Sequence, residues 1–434
     1  METRLAFGKN GIKIAIPEQY RTQVLSWKSG AALADPVAAI EAALDAPAAG
    51  PPLAAVIDGK KSAAISVCDI TRPAPNPVVL PPLLRRLEAG GIPRRNISIL
   101  IATGLHREAT DAEIRHIVGP EIAANYTILN HNARLREQHR HLGATRSGTP
   151  VWIDARFLAA DLHLSLGFIE PHLMLGFSGG RKLIAPGLAA QETIKELHSP
   201  RFMRDPRSRE GSIEDNPLHA ELLEISRLAR HDFLIDVSLS HDRKIAAVFA
   251  GEPVGAHRAG VAWVRASLAQ QLEQPADAVI TTGGGYPLDM TFYQCIKGIT
   301  AAEKMVRPGG RILMVGECSE GVGSPEFSEM MTRYATDQDF LRETEHAPVT
   351  VDQWQLEKLA LVSRNIEVTY AIPGVPADYR SKTWGQSFAD PQEAVAALCA
   401  KLKPGARIAI VPEGPYVLAQ AGVEASERIP AQMR

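Results

Sequence analysis

Cysteine is scarce in this chain, and the little there is lies scattered. Cys68, Cys295, Cys318 and Cys399 form no CxxC pair and no zinc-ligand spacing. That excludes a disulfide-stapled scaffold and a structural zinc site, and points to reduced thiols in a cytosolic protein. No apolar run is long enough to span a bilayer, and the opening METRLAFGKNG lacks the apolar core of a signal peptide. A cytoplasmic protein with no membrane partner is therefore expected. An excess of either charge is also missing. With 47 Lys and Arg against 49 Asp and Glu the net charge is -2, which gives no electrostatic case for nucleic acid. There is no internal repeat and no low-complexity segment. Neither half carries GxGxxG after its first strand, which argues against a freely exchanging nicotinamide cofactor. One loop, GFSGGRK, approaches the Walker pattern GxxxxGK[ST], but Arg181 stands at the second glycine and Leu183 at the magnesium-holding hydroxyl. ATP hydrolysis by that device is excluded.

What is present is a folded composition, 45% hydrophobic and 22% charged over 434 residues, long enough for two cores. Residues 4–16 alternate about Asn10-Gly11 and predict a hairpin. An alanine-rich helix is expected from Asp35 to Leu44. SAAISVCD then reads as a buried parallel strand, followed by the loop DITRPAPN and a helix over 77–89. The strand ISILIATG at 97–104 leads to LHREATDAE, where Thr110 and Glu113 have capping-box spacing. Short strands follow near 125–131, 150–155 and 160–168, then a hairpin over 233–250 and a helix over 253–270. From 277 the pattern restarts with strands at 277–284, 311–318, 366–372 and 407–414. Helices near 291–306, 325–335, 352–364 and 391–402 alternate with them, the rhythm of a doubly wound sheet.

The expected fold is α/β, with two domains each built on a mainly parallel sheet flanked by helices and the active site in the cleft between them. The first domain is expected over 1–268 and the second over 269–414. A hinge is expected at 268–276, and the tail 415–434 is expected to pack back on the first domain. Ligands of open α/β sheets gather beyond the carboxyl ends of strands. Polar residues cluster there: Asp69, Thr71 and Arg72 after one strand, His106 after the next.

The stretch His172–His198, HLMLGFSGGRKLIAPGLAAQETIKELH, stands apart. Its glycines permit close backbone approach and positive φ. Lys182 in such a loop can contact phosphate, act as a nucleophile if burial lowers its pKa, or simply face solvent. His198, at a helix end, can ligate a divalent metal or serve structure alone.

Taken in order, DITRP, TGLHR, PH…GFSGGRK…H and GGYPLD…YQ…KG resemble the motifs of the nickel-dependent lactate racemase family. The resemblance implies a racemase or epimerase of a 2-hydroxy acid, an isomerase. Its implied cofactor is a nickel-pincer nucleotide (nickel pyridinium-3-thioamide-5-thiocarboxylic acid mononucleotide) attached at Lys182. By the same resemblance His198 is the protein's nickel ligand, and His106 and His172 are paired acid/base groups. Arg72 and Lys297 would bind the substrate carboxylate with Gln294 alongside. Asp69, Thr71, Ser178, Gly179 and Gly180 would hold the nucleotide or orient the histidines. Trp354 has a counterpart in the family, but one too short in sequence to carry a role. Cofactor maturation proteins are implied partners.

The chemistry is consistent with those roles. A C–H beside an ionised carboxylate is hardly acidic, so inversion is easier by removing hydride to give a flat keto acid and returning it on the other face. The hydroxyl proton must leave as hydride leaves, which calls for a base on each side. Arginine matches both carboxylate oxygens. Two other readings stay open on the residues alone: a nicotinamide-dependent 2-hydroxy acid dehydrogenase, which leaves Lys182 without a task, and a non-catalytic nucleotide-binding protein, which leaves two histidines without one. Arg181, Leu183 and Cys295 are expected to be replaceable positions. His116, His131, His139, His141, His219, His231, His241, His257 and His346 are expected to be surface or structural groups.

Overall fold

Strands made mostly of apolar residues must be covered on both faces, and three such strands lie between Ala63 and Leu239. Ala63–Cys68, Leu162–Phe168 and Phe233–Leu239 are buried at every position. In the structure, a computed structural model that describes residues 1–421, they form the centre of a six-stranded sheet. Its order is Ile245–Gly251, Phe233–Leu239, Leu162–Phe168, Ala63–Cys68, Ile97–Ala102, Thr127–Asn130. All neighbours are parallel except the hairpin that adds Ile245–Gly251 antiparallel at one edge. The helices Pro36–Asp45 and Asn76–Ala89 bury Ile40, Leu44, Leu80, Leu83 and Leu87 against Ile65, Val67 and Ile99. From Ala63–Cys68 the chain builds outward first to one side and later, through Leu162–Phe168, to the other. The order therefore reverses between these two strands, the position at which open α/β sheets bind ligands beyond the strands' carboxyl ends.

The second unit contains a six-stranded, wholly parallel sheet. Its order is Gln386–Phe388, Glu367–Ala371, Val306–Val315, Ala276–Thr282, Arg407–Val411, Arg21–Val24. Alternate residues feed two cores. Ile312 and Met314 face the helices Phe292–Ala302 and Gln353–Ser363, whereas Leu313 and Val315 meet Ala394, Val395 and Leu398 of Pro391–Ala400. No helix among the described residues is long and apolar enough to cross a membrane.

Each unit is α/β with a mainly parallel sheet, as expected. The boundaries differ from the sequence reading. One unit comprises 29–202 and 206–267, and the other 1–28, 203–205 and the described residues from Leu268 on. The N-terminal hairpin, Glu2–Leu5 with Ile12–Ala15, packs Leu5 and Ile14 on Ile280, Leu313 and Ile410, and Arg21–Val24 extends the sheet from Arg407–Val411. Arg204 is drawn in by Glu357 at 2.5 Å and the Leu341 carbonyl at 2.9 Å. The expected hinge at 268–276 is structured, because Gln270–Leu272 pairs with Ala419–Ala421. That pairing also keeps 415–421 with the second unit rather than the first. The remainder of the tail lies outside the described residues.

Candidate active site

Three strands deliver the site's polar groups at the sheet's reversal. Asp69 follows Ala63–Cys68 immediately and is 6% exposed. The loop after Ile97–Ala102 brings His106 back over it, so that Nδ1 of His106 lies 2.7 Å from Asp69 Oδ2. The Thr71 hydroxyl donates to Asp69 Oδ1 at 2.7 Å, and Arg72 Nη1 donates to the same hydroxyl at 3.2 Å. Burial alone would raise the Asp69 carboxyl. The His106 hydrogen bond, then the charges of His106 and Arg72 and the Thr71 hydroxyl, outweigh it and hold the group below the usual carboxylate range. An ionised Asp69 fixes the His106 proton on Nδ1, and Nε2 is left as a bare acceptor on a half-exposed ring.

His172 is set the other way round. It pairs with Gly176 in a two-residue antiparallel turn, and its Nδ1 accepts from the Met174 and Leu175 amides at 3.4 and 3.3 Å. With Nδ1 accepting, the ring proton sits on Nε2. Gly176 makes this turn possible: its φ is +77°, and a β-carbon there would sit 2.1 Å from the Ser212 carbonyl oxygen.

Beyond the turn, Gly179 and Gly180 both take positive φ, +85° and +49°. They swing the chain across the sheet's carboxyl end, where the Ser66 hydroxyl donates to the Leu183 carbonyl at 2.8 Å and the Gly104 amide to Gly187 at 3.1 Å. Lys182 is thereby set above Ala63–Cys68 and shares the electrostatic surroundings of Cys68 with Asp69 and Arg72. Burial pushes that thiol up to about 12. The Ser178 hydroxyl is engaged within the loop, donating to Phe168 O at 2.9 Å and accepting from the Glu170 amide at 3.0 Å.

His198 caps the helix Gln191–Leu197, and its Nδ1 donates to the Ile194 carbonyl at 2.7 Å. Burial, with the nearby Lys182 charge, pushes the ring down to about 4, so at neutral pH Nε2 offers an unprotonated lone pair. A backbone carbonyl behind one nitrogen is the usual arrangement of a metal-binding imidazole. Among the described residues no three His, Cys, Asp or Glu side chains are grouped to hold a metal ion, so a metal at His198 needs its other ligands from a bound group.

Gln294 and Lys297 lie in the other unit, three residues apart on Phe292–Ala302 and hence on one face of that helix. There Trp354 Nε1 donates to Tyr293 Oη at 3.0 Å. Of the histidines set aside, His131, His139, His219, His231 and His257 are buried, whereas His116, His141, His241 and His346 are exposed. Arg181, expected to be replaceable, is instead wholly buried behind the lysine loop beside Asp236 and His257. Its acceptors are mainly backbone carbonyls, which leave no mark in a sequence pattern.

Comparison with known proteins gives the family. Residues 7–211 match the family model of the lactate racemase N-terminal domain, and 271–419 that of the C-terminal domain. The chain is 31% identical to the lactate racemase of Thermoanaerobacterium thermosaccharolyticum over 422 residues, which is 95% of this chain and 98% of the relative. It is 33% identical to that of Lactiplantibacillus plantarum over 378 residues, 86% of this chain and 89% of the relative. The lactate racemase apoprotein from T. thermosaccharolyticum superposes with a TM-score of 0.91 at 30% identity, covering 97% of this chain and all of that one. A Thermotoga maritima protein at 17% identity, TM-score 0.68, shares the fold over 91% of this chain and all of its own. The protein is thus a racemase, an isomerase by class. Within that class, it belongs to the lactate racemase family.

Proposed function

We propose that the chain racemises lactate or a closely related 2-hydroxy acid, with His106 and His172 as the acid/base pair. One observation carries this reading: two imidazoles at the same sheet end are both engaged through Nδ1 but in opposite senses, His106 donating to Asp69 and His172 accepting from the Met174 and Leu175 amides. The bare nitrogen of His106 takes the hydroxyl proton of one enantiomer. To return a proton from the opposite face, His172 must first give up its two long hydrogen bonds and take a proton from solvent on Nδ1, so that as imidazolium it donates from Nε2. Left neutral with Nδ1–H, it is then the base for the other enantiomer, and His106, now the imidazolium, is the acid. Asp69 steadies His106 in both charge states. The Arg72 guanidinium receives one side of the substrate carboxylate, and Lys297 and Gln294 complete its binding.

The residues also fit the nickel-pincer nucleotide. Lys182 would attach it, the Gly179–Gly180 turn would let it approach the backbone, Ser178 would brace that turn, and His198 Nε2 would ligate nickel. When bound, the group supplies an acceptor and donor of hydride, the chemistry that side chains alone lack. Its synthesis and insertion call for maturation proteins as partners.

The test is a panel of enantiopure 2-hydroxy acids, D- and L-lactate first, given to cofactor-loaded parent, His106→Ala and His172→Ala. Loss of optical purity is expected from the parent. Each variant should be slower by about 10²–10⁴-fold in both directions, the usual weight of a general acid or base. A variant that racemises at the parent rate removes that histidine from the pair.

A further inference from the structure

The lysine loop is gripped from behind by three buried side chains. Arg181, 1% exposed, donates from Nη2 to the Phe177 and Leu175 carbonyls at 2.9 and 3.1 Å, and from Nη1 to Gly179 O at 3.3 Å. The same Nη1 lies 2.7 Å from His257 Nε2, and that nitrogen lies 2.8 Å from the Ser178 carbonyl as well, so the ring braces the turn either by accepting from Arg181 or by donating to Ser178 O. Burial and the Arg181 charge keep His257 neutral, well below the ordinary histidine range. Asp236 rises from Phe233–Leu239 on the other side of the turn, and its Oδ1 accepts the Gly180 amide at 3.2 Å. Its carboxylate fills the space that β-carbons would need: one at Gly179 would stand 2.6 Å from Oδ2, and one at Gly167 2.8 Å from Oδ1. Oδ2 of Asp236 and Nε of Arg181 are buried without a hydrogen-bond partner.

Fully buried opposite charges are a weak source of stability, since apolar residues of the same volume often serve as well or better. What an arginine adds is geometry, because its rigid fork pins several acceptors at once. Here those acceptors are the Leu175, Phe177 and Gly179 carbonyls along the stretch that leads into Lys182. We propose that Arg181, Asp236 and His257 are positioning residues, a frame that fixes the Gly179–Lys182 turn so that the lysine side chain is offered in one place for covalent attachment. The purpose of the frame rests on Lys182 being the attachment point. The existence of the frame does not.

The experiment is hydrogen–deuterium exchange on the full-length protein without cofactor, comparing peptides over 176–188 with those over 162–168 and 233–239. In Arg181→Lys the turn should exchange about tenfold faster or more, as befits a lost charged hydrogen bond, while the strands keep the parent rate. Should that variant not fold, His257→Leu and His257→Gln decide. Leucine can neither accept from Arg181 nor donate to Ser178 O and should loosen the turn, whereas glutamine can do both and should restore it. In cofactor-loaded preparations, the adduct mass at Lys182 should fall in step with the loosening. An unchanged turn in Arg181→Lys and His257→Leu overturns the proposal, and so does exchange that quickens equally in the strands. If the parent itself carries no adduct, the reading of Lys182 fails, and the exchange pattern alone then judges the frame.

Discussion

Asp69 gives His106 its direction, because a carboxylate behind an imidazole decides which nitrogen meets the substrate. Replacing it by Asn keeps the shape and removes the charge. The amide cannot stabilise an imidazolium, and it can turn its NH2 toward Nδ1, which would shift the ring proton to Nε2. We expect Asp69→Asn to lower kcat of the loaded enzyme by about 10²–10⁴-fold with a much smaller change in KM, the pattern of a lost transition-state contact. Steady-state rates with each enantiomer check this, and a variant with parental kcat would show that His106 needs no carboxylate. Asp69, Thr71, Arg72 and His106 were legible in the sequence because each follows an apolar strand and has a polar side chain to advertise it. Arg181 was not legible. A buried arginine that bonds backbone carbonyls looks, in one dimension, like any loop arginine.

Single elements hold the site through their ends. Asn216 is the N-cap of Pro217–Leu228, accepting the Leu218 and His219 amides at 3.0 and 3.1 Å. Its amide also donates to Met174 O at 2.9 Å and Ser212 O at 3.1 Å, which ties that helix to the His172 turn. Asn216→Ala should cost about 1–3 kcal/mol, a cap plus a buried acceptor left unpaired, read as a lower urea midpoint. A loss below a few tenths would mean that water replaces the amide. Elements with local signals were legible: the Asn10-Gly11 turn, with Gly11 at φ +65°, and the Thr110–Glu113 capping box, both of whose hydrogen bonds form. Arg21–Val24 was not, since RTQV is polar and its partner strand lies near the other end of the chain. The helix Asp337–Thr344, DQDFLRET, offers only two apolar residues, too few for a helical stripe to stand out.

Across the whole molecule, burial sets a pH response. His131 and His219 are pushed to about 3, His198 and His231 to about 4, and His257 well below 6.5, in each case first by burial. In the unfolded chain these rings titrate near 6.5. Between that value and about 4 the unfolded state therefore binds protons that the fold refuses, and stability falls as pH falls. Asp236, raised to about 7 by burial, works the other way, one group against five. The melting temperature should drop steadily from pH 6.5 to 4, and a flat profile over that window would sink the account. The division of the chain has a further consequence, for birth rather than for stability. Residues 1–28 belong with the segment from Leu268 onward, so the chain crosses between units four times. On the ribosome Arg21–Val24 emerges first and its partner Arg407–Val411 almost last. At about 5–20 residues per second the early strand waits roughly 20–80 s, with the intervening unit free to fold meanwhile. RTQV suits that wait: a short, polar edge segment is poor bait for other nascent chains until its own partner arrives.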